Sequence, residues 1–184
     1  MDHFIEIRVL PDPEFKEEML MSALFAKLHR ALGARGKGDI GVSFPEHSVK
    51  PGSVIRLHGQ QSALKELEAG RWRAGLNDYC AATAVQSVPE IKGWRTVARV
   101  QVKSSAARLL RRSVRKGWIT EEEAELRLGS VKEDRCSLPF IQMRSLSSKE
   151  NFRLFIQHGE LKQDASGGLF STYGLSAEAT IPWF

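Results

Sequence analysis

Two hydrophobic periods alternate through the first half of the chain, and their order limits the available folds more than any single motif does. Residues 3–10 (His-Phe-Ile-Glu-Ile-Arg-Val-Leu) have the partial alternation and β-branched content of a strand. Pro11-Asp12-Pro13 breaks it, with Asp12 suited to cap a helix whose first residue is Pro13. That helix is expected to run to Leu32 and stop at Gly33, with Phe25, Leu28, His29 and Leu32 on one face. Strands near 39–44 and 53–58 follow, divided by a Pro51-Gly52 turn. A second helix covers 61–68, and a further strand near 82–88 ends at Pro89. Strand, helix, strand, strand, helix, strand is the order of a ferredoxin-like (RRM-like) domain, an arrangement many RNA-binding proteins use. The expected class is α+β, with this domain over residues 1–92.

Residues 93–184 read as a second α+β domain built around an arginine-rich helix. A strand near 96–103 leads into a basic helix over 104–116, with Ser104 or Ser105 as N-cap and Gly117 as its stop. Arg108, Arg112 and Arg115 fall at i, i+4 and i+7 on one face, while Leu110 and Val114 fall on another that can pack the helix down. Thr120-Glu121-Glu122-Glu123 has the form of a capping box opening a short acidic helix. Strands are expected at 139–146, 152–158 and 169–175. The closing Ile181-Pro182-Trp183-Phe184 is too apolar to dangle and is expected to pack.

The formal net charge of +5 is moderate, but its distribution is not. From Ile91 to Thr120 there is no acidic residue, while Lys92, Arg95, Arg99, Lys103, Arg108, Arg111, Arg112, Arg115 and Lys116 concentrate nine cations. The remainder of the chain is net negative. A solvated helix normally mixes both signs at i,i+4 spacing; this one does not, so it reads as a docking surface for a polyanion. No stretch approaches the roughly 20 apolar residues of a membrane span. The acidic, alternating N-terminus is not a secretory signal. Cys80 and Cys136 stand far apart, without metal-ligand spacing, and read as reduced thiols of a cytoplasmic protein. No carboxylate or Cys/His cluster offers a metal site, and neither metal nor cofactor is expected.

Several short motifs then occur in one order. They are Met1-Asp2-His3-Phe4-Ile5-Glu6-Ile7-Arg8, Pro11-Asp12-Pro13-Glu14-Phe15, Leu24-Phe25-Ala26-Lys27-Leu28-His29 and Gly41-Val42-Ser43-Phe44-Pro45. Arg99-Val100-Gln101, Asn151-Phe152-Arg153-Leu154-Phe155-Ile156, Tyr173-Gly174-Leu175-Ser176 and Pro182-Trp183-Phe184 complete the set. Together they resemble the type I-F CRISPR-associated endoribonuclease family, which processes precursor CRISPR RNA. The agreement touches both ends and is weakest over 46–93. The resemblance implies cleavage at the 3′ side of a repeat hairpin, a 2′,3′-cyclic phosphate and a 5′-hydroxyl as products, retention of the processed RNA, and membership of the type I-F surveillance complex.

RNA carries its own nucleophile, the ribose 2′-hydroxyl, so such an enzyme needs to remove that proton and align the oxygen with phosphorus. A histidine suits the first task, with an ordinary pKa of about 6.5. By resemblance it is His29, which on its apolar stripe would otherwise read as a packed core residue. Ser145 matches the family's ribose-orienting serine, and Tyr173 a tyrosine beside the histidine, whose phenol can fix the imidazole by hydrogen bonding. Apart from the family these two read as a strand-end serine and a half-buried core tyrosine. No second histidine is evident as general acid, which implies slow turnover. For binding, Arg108, Arg111, Arg112, Arg115 and Lys116 suit phosphates. Ser147 belongs to the RNA-binding set by the same resemblance. Arg99 and Gln101 match base-reading positions, arginine being bidentate to guanine and glutamine to adenine, and alternation on a strand puts both on one face. Phe152 matches an aromatic that stacks on the terminal base pair, and would otherwise be core. Where the family's helix can continue with arginine and histidine, Lys116-Gly117 closes it here, and lysine is a point charge rather than a fork. Two other readings stay open. A non-catalytic RNA-hairpin-binding subunit would make His29, Ser145 and Tyr173 structural. A DNA-binding regulator would explain the charge but not those three positions.

Overall fold

The computed structural model describes residues 1–102, 106–129, 136–145 and 148–184; the side chains at 106–108 and 128–129 lie outside that description. The chain forms two compact units, one of residues 1–100 with 138–184, the other of residues 101–137. Both helices and antiparallel sheets are present, an α+β protein with two sheets.

In the larger unit the first sheet holds β1 (His3–Val9), β2 (Gly41–Ser43), β3 (Val54–Gly59), β4 (Cys80–Ala82) and β5 (Gln86–Ser87). Its order is β2-β3-β1-β4, with β5 also on β1 and every pairing antiparallel. The strand expected at 82–88 is thus two short pieces. Helix α1 (Glu17–Arg35) starts later and ends later than its sequence suggests. Asp12 spends its carboxylate on the amides of Glu14 and Phe15, at 2.8 and 2.9 Å, closing a separate turn before the helix. At the other end Gly36, not Gly33, takes the left-handed cap, its N–H donating to Leu32 O at 3.0 Å. Arg35 in that last turn bonds Asp39 and Glu66. Helix α2 (Gln61–Ala69) buries Ala63, Leu64 and Leu67.

The second sheet holds β6 (Gly93–Val100), the strands β7 (Phe140–Arg144) and β8 (Asn151–His158), and β9 (Ser176–Trp183), in the order β7-β8-β6-β9. The strand expected at 169–175 is a correction. Tyr173-Gly174 there makes a tight turn, and the strand is β9, one segment later. Pro182 is tolerated inside β9 because that strand is an edge, paired among the described strands to β6 alone. The apolar C-terminus packs as expected: the Phe184 ring lies 4.8 Å from Phe4, with the Arg56 guanidinium 4.0 Å over it. An apolar cluster joins the sheets, from Ile5, Phe25 and Leu57 to Val97, Leu154 and Ile181.

The smaller unit is a helix pair, α3 (Ala106–Arg115) and α4 (Glu121–Gly129). The candidate caps Ser104 and Ser105, together with Lys103, lie outside the described residues. The stop is as the sequence indicates: Gly117, at φ 71°, donates to Val114 O at 2.9 Å, and Trp118 N to Ser113 O at 3.0 Å, the paired bonds of a Schellman ending. Thr120 and Glu123 cap reciprocally, with Thr120 N on the Glu123 carboxylate and Glu123 N on the Thr120 hydroxyl. Cys80 and Cys136 are free thiols. Among the described residues no helix is long and apolar enough to cross a membrane.

Candidate active site

Helix α1 turns Phe25 and His29, one turn apart, toward the ring of Tyr173. The His29 and Tyr173 rings stack at 4.1 Å and 6°, and the buried Phe25 ring lies 6.2 Å from the tyrosine at 8°. Tyr173 is held by the 171–175 turn, in which Gly174 N donates to Ser171 O at 2.8 Å and Ser171 N to Leu175 O at 3.0 Å. Gly174 sits at φ 70°, and a Cβ there would come within 2.3 Å of Val42 Cγ2, so only glycine fits. Its carbonyl accepts Val42 N at 2.8 Å, which ties the turn to β2.

The hydrogen bond that orients His29 comes from this turn's backbone: Nδ1 lies 3.0 Å from Thr172 O. A carbonyl only accepts, so Nδ1 carries a proton and donates it, and the tautomer selected is the one with its lone pair on Nε2. Tyr173 therefore supports the imidazole through its ring face rather than through the phenol. Sequence reasoning missed Thr172, because a backbone acceptor leaves no mark on residue type.

His29 borders a groove of about 390 Å³, shared with Arg30 of α1 and, from the end of β7 onward, Arg144, Ser145 and Lys149. Ser145 directly follows β7. Its N–H donates to Glu150 O at 2.8 Å, Lys149 N–H donates to its carbonyl at 3.0 Å, and its Oγ accepts Ser148 N–H at 3.2 Å. The predicted His29 and Ser145 thus face one cavity. Ser147 lies outside the described residues.

Arg99, exposed near the end of β6, bridges two further predicted residues. Its guanidinium lies 5.5 Å from the Tyr173 ring centroid and 5.6 Å from that of Phe152. Phe152 is half-buried and packed against the core. Gln101 is exposed but not on the strand, since β6 ends with Val100 opposite Phe155.

In the smaller unit Arg111, Arg112, Arg115 and Lys116 are exposed, while Leu110 and Val114 are half-buried. The Arg108 side chain lies outside the described residues. Among the described residues none of these four cations is in an ion pair. Lys116 instead places its ammonium 4.5 Å from the ring centroid of Trp118, which is highly exposed.

The other four histidines are engaged elsewhere. His3 pairs with Asp2. His58, wholly buried, bonds Ser43 Oγ at 2.8 Å, and burial, aided by the Arg56 charge, pushes its pKa down to about 3. His158 stacks on His47 at 3.6 Å, and burial, with His47 and Arg95 nearby, likewise takes it to about 3. Among the described residues no group of three or more His, Cys, Asp or Glu side chains is placed to hold a metal ion.

Known proteins match the chain from end to end. The family model described as CRISPR-associated protein (Cas_Csy4) matches residues 4–184. A CRISPR-associated endonuclease Cas6/Csy4 of Escherichia coli (strain UTI89 / UPEC) is 65% identical over 184 residues, covering all of both chains. Another of the same name, from Pseudomonas aeruginosa (strain UCBPP-PA14), is 44% identical over 187 residues, again covering both completely.

Proposed function

This chain belongs to the Cas_Csy4 family of CRISPR-associated proteins, and on that footing we propose that it is an endoribonuclease that binds the hairpin of CRISPR repeat RNA and cuts at the 3′ base of the stem. The observation that carries this reading is the Nδ1 contact of His29 with Thr172 O, which leaves a basic Nε2 on a ring bordering the same groove as Ser145. In the proposed step Nε2 takes the proton of the ribose 2′-hydroxyl, O2′ bonds to the adjacent phosphorus, and the P–O5′ bond breaks. The products are a 2′,3′-cyclic phosphate and an O5′ that takes a proton from water to give a 5′-hydroxyl. Ser145 orients the ribose and Tyr173 braces the base. RNA supplies the nucleophile, so the scheme uses no metal, and cleavage persists in EDTA.

Binding divides into stacking, base reading and phosphate contact. Phe152 stacks on the terminal base pair, which its partial exposure supports. Arg99 reads a guanine edge and Gln101 an adenine edge. Arg108, Arg111, Arg112, Arg115 and Lys116 follow phosphates, with Ser147 adding a further RNA contact. The order β2-β3-β1-β4, antiparallel throughout, supports a ferredoxin-like platform over residues 1–92, and a boundary at 92/93 falls between the two sheets. The enzyme keeps its product, joins the other subunits of the type I-F surveillance complex, and works in the cytoplasm.

The test is the His29→Ala variant with the repeat hairpin. It should bind as tightly as the parent protein in a mobility-shift titration yet yield no product in a single-turnover assay. A parent protein that binds the hairpin and yields no product either would make the chain a non-catalytic hairpin-binding subunit.

A further inference from the structure

The groove beside His29 carries more positive charge than the proposed chemistry uses. Arg30, Arg144 and Lys149 border it, and among the described residues no acidic side chain does. Two of the three are tethered through Nε: Arg30 to Ala26 O at 3.2 Å and Arg144 to Lys149 O at 3.1 Å. Among the described residues none of the three is in an ion pair.

Lys149 adds a second, independent observation. Its φ is 60°, the left-handed region in which a side chain is disfavoured and glycine is at ease. Its backbone work, the N–H bond to Ser145 O and the carbonyl accepting Arg144 Nε, asks nothing of a side chain. A lysine held where glycine is favoured, on the wall of a cationic groove, points to a role for its ammonium.

We infer that Arg30, Arg144 and Lys149 form a phosphate subsite beside His29, which holds the RNA backbone where it leaves the stem, and that Lys149 supplies charge a glycine would lack. This rests on the reading that the groove receives the RNA at the cut. The ligand is a phosphodiester. As O2′ attacks, charge grows on its non-bridging oxygens, so the cations favour the transition state over the bound substrate.

Lys149→Gly removes the ammonium and relieves the backbone, so loss of folding does not confuse the result. Two RNAs are compared by fluorescence titration: the hairpin ending at the stem base, and the same hairpin continued by several nucleotides. Both carry a 2′-deoxyribose at the junction, so that neither is cut. The parent protein should bind the continued RNA more tightly by about tenfold, with a log–log salt slope steeper by about 0.7 for each phosphate held. Lys149→Gly should lose most of that gain and keep the parent's affinity for the short hairpin, and Lys149→Arg should retain it. A glycine variant that keeps the full gain and slope, or that weakens both RNAs equally, overturns the subsite. Since neither RNA is cut, this result stands apart from whether the parent protein cleaves.

Discussion

At position 29 an imidazole is fixed by two different forces. The Thr172 carbonyl chooses the tautomer, and the Tyr173 face sets the plane of the ring. Residue type alone reveals neither, because histidines 58 and 158 also lie in apolar surroundings and differ only in their tertiary partners. Those two give a pH prediction. Both have folded pKa values near 3, against about 6.5 in the unfolded chain. Below 6.5 the unfolded state binds protons that the folded state refuses, so stability is full above that value and falls as pH drops toward 3. The loss approaches about 1.4 kcal/mol per histidine per pH unit. Urea unfolding followed by tryptophan fluorescence should show the midpoint falling between pH 7 and 5, before most carboxylates protonate. The paired change Ser43→Ala with His58→Leu removes both ends of the buried hydrogen bond and should reduce that slope.

Elements show where local signals win and where tertiary contacts override them. The Thr120 capping box and the Gly117 stop are legible in the sequence because capping is chemistry within one turn. Helix α1 departs from its local signals at both ends. Asp12 closes its own turn, and the ending is moved to Gly36, where Arg35 reaches Asp39 and Glu66. The strand expected at 169–175 fails for a similar reason: its apolar residues serve a turn anchored on β2 through Gly174. Gly174→Ala should therefore destabilise by about 2–4 kcal/mol, from left-handed strain and overpacking against Val42, and the cleavage rate should fall as Tyr173 shifts. Denaturant titration and a single-turnover assay read the two effects. On α3, changing Arg111, Arg112 and Arg115 together to Ala should flatten the log–log salt dependence of hairpin affinity by about 2–3, at roughly 0.7–0.9 for each phosphate no longer neutralised. An unchanged slope would place the phosphates elsewhere.

At the scale of the whole molecule, the order of strands and helices and the gathering of charge on α3 are readable, since both are properties of the chain's pattern. The sharing of one apolar core by both sheets is not, because it depends on packing between residues as distant in sequence as Leu57 and Ile181. The candidate site is legible only as a set of residues. Their meeting, with His29 and Ser145 on one groove and Arg99 spanning Phe152 and Tyr173, requires the fold. The account's centre is a ribose oxygen activated by the His29 Nε2. Its most direct test is single-turnover cleavage of a repeat hairpin in which only the nucleotide at the cut carries 2′-deoxyribose. The account predicts tight binding and no product; product formed at the rate of the all-ribose hairpin would contradict it.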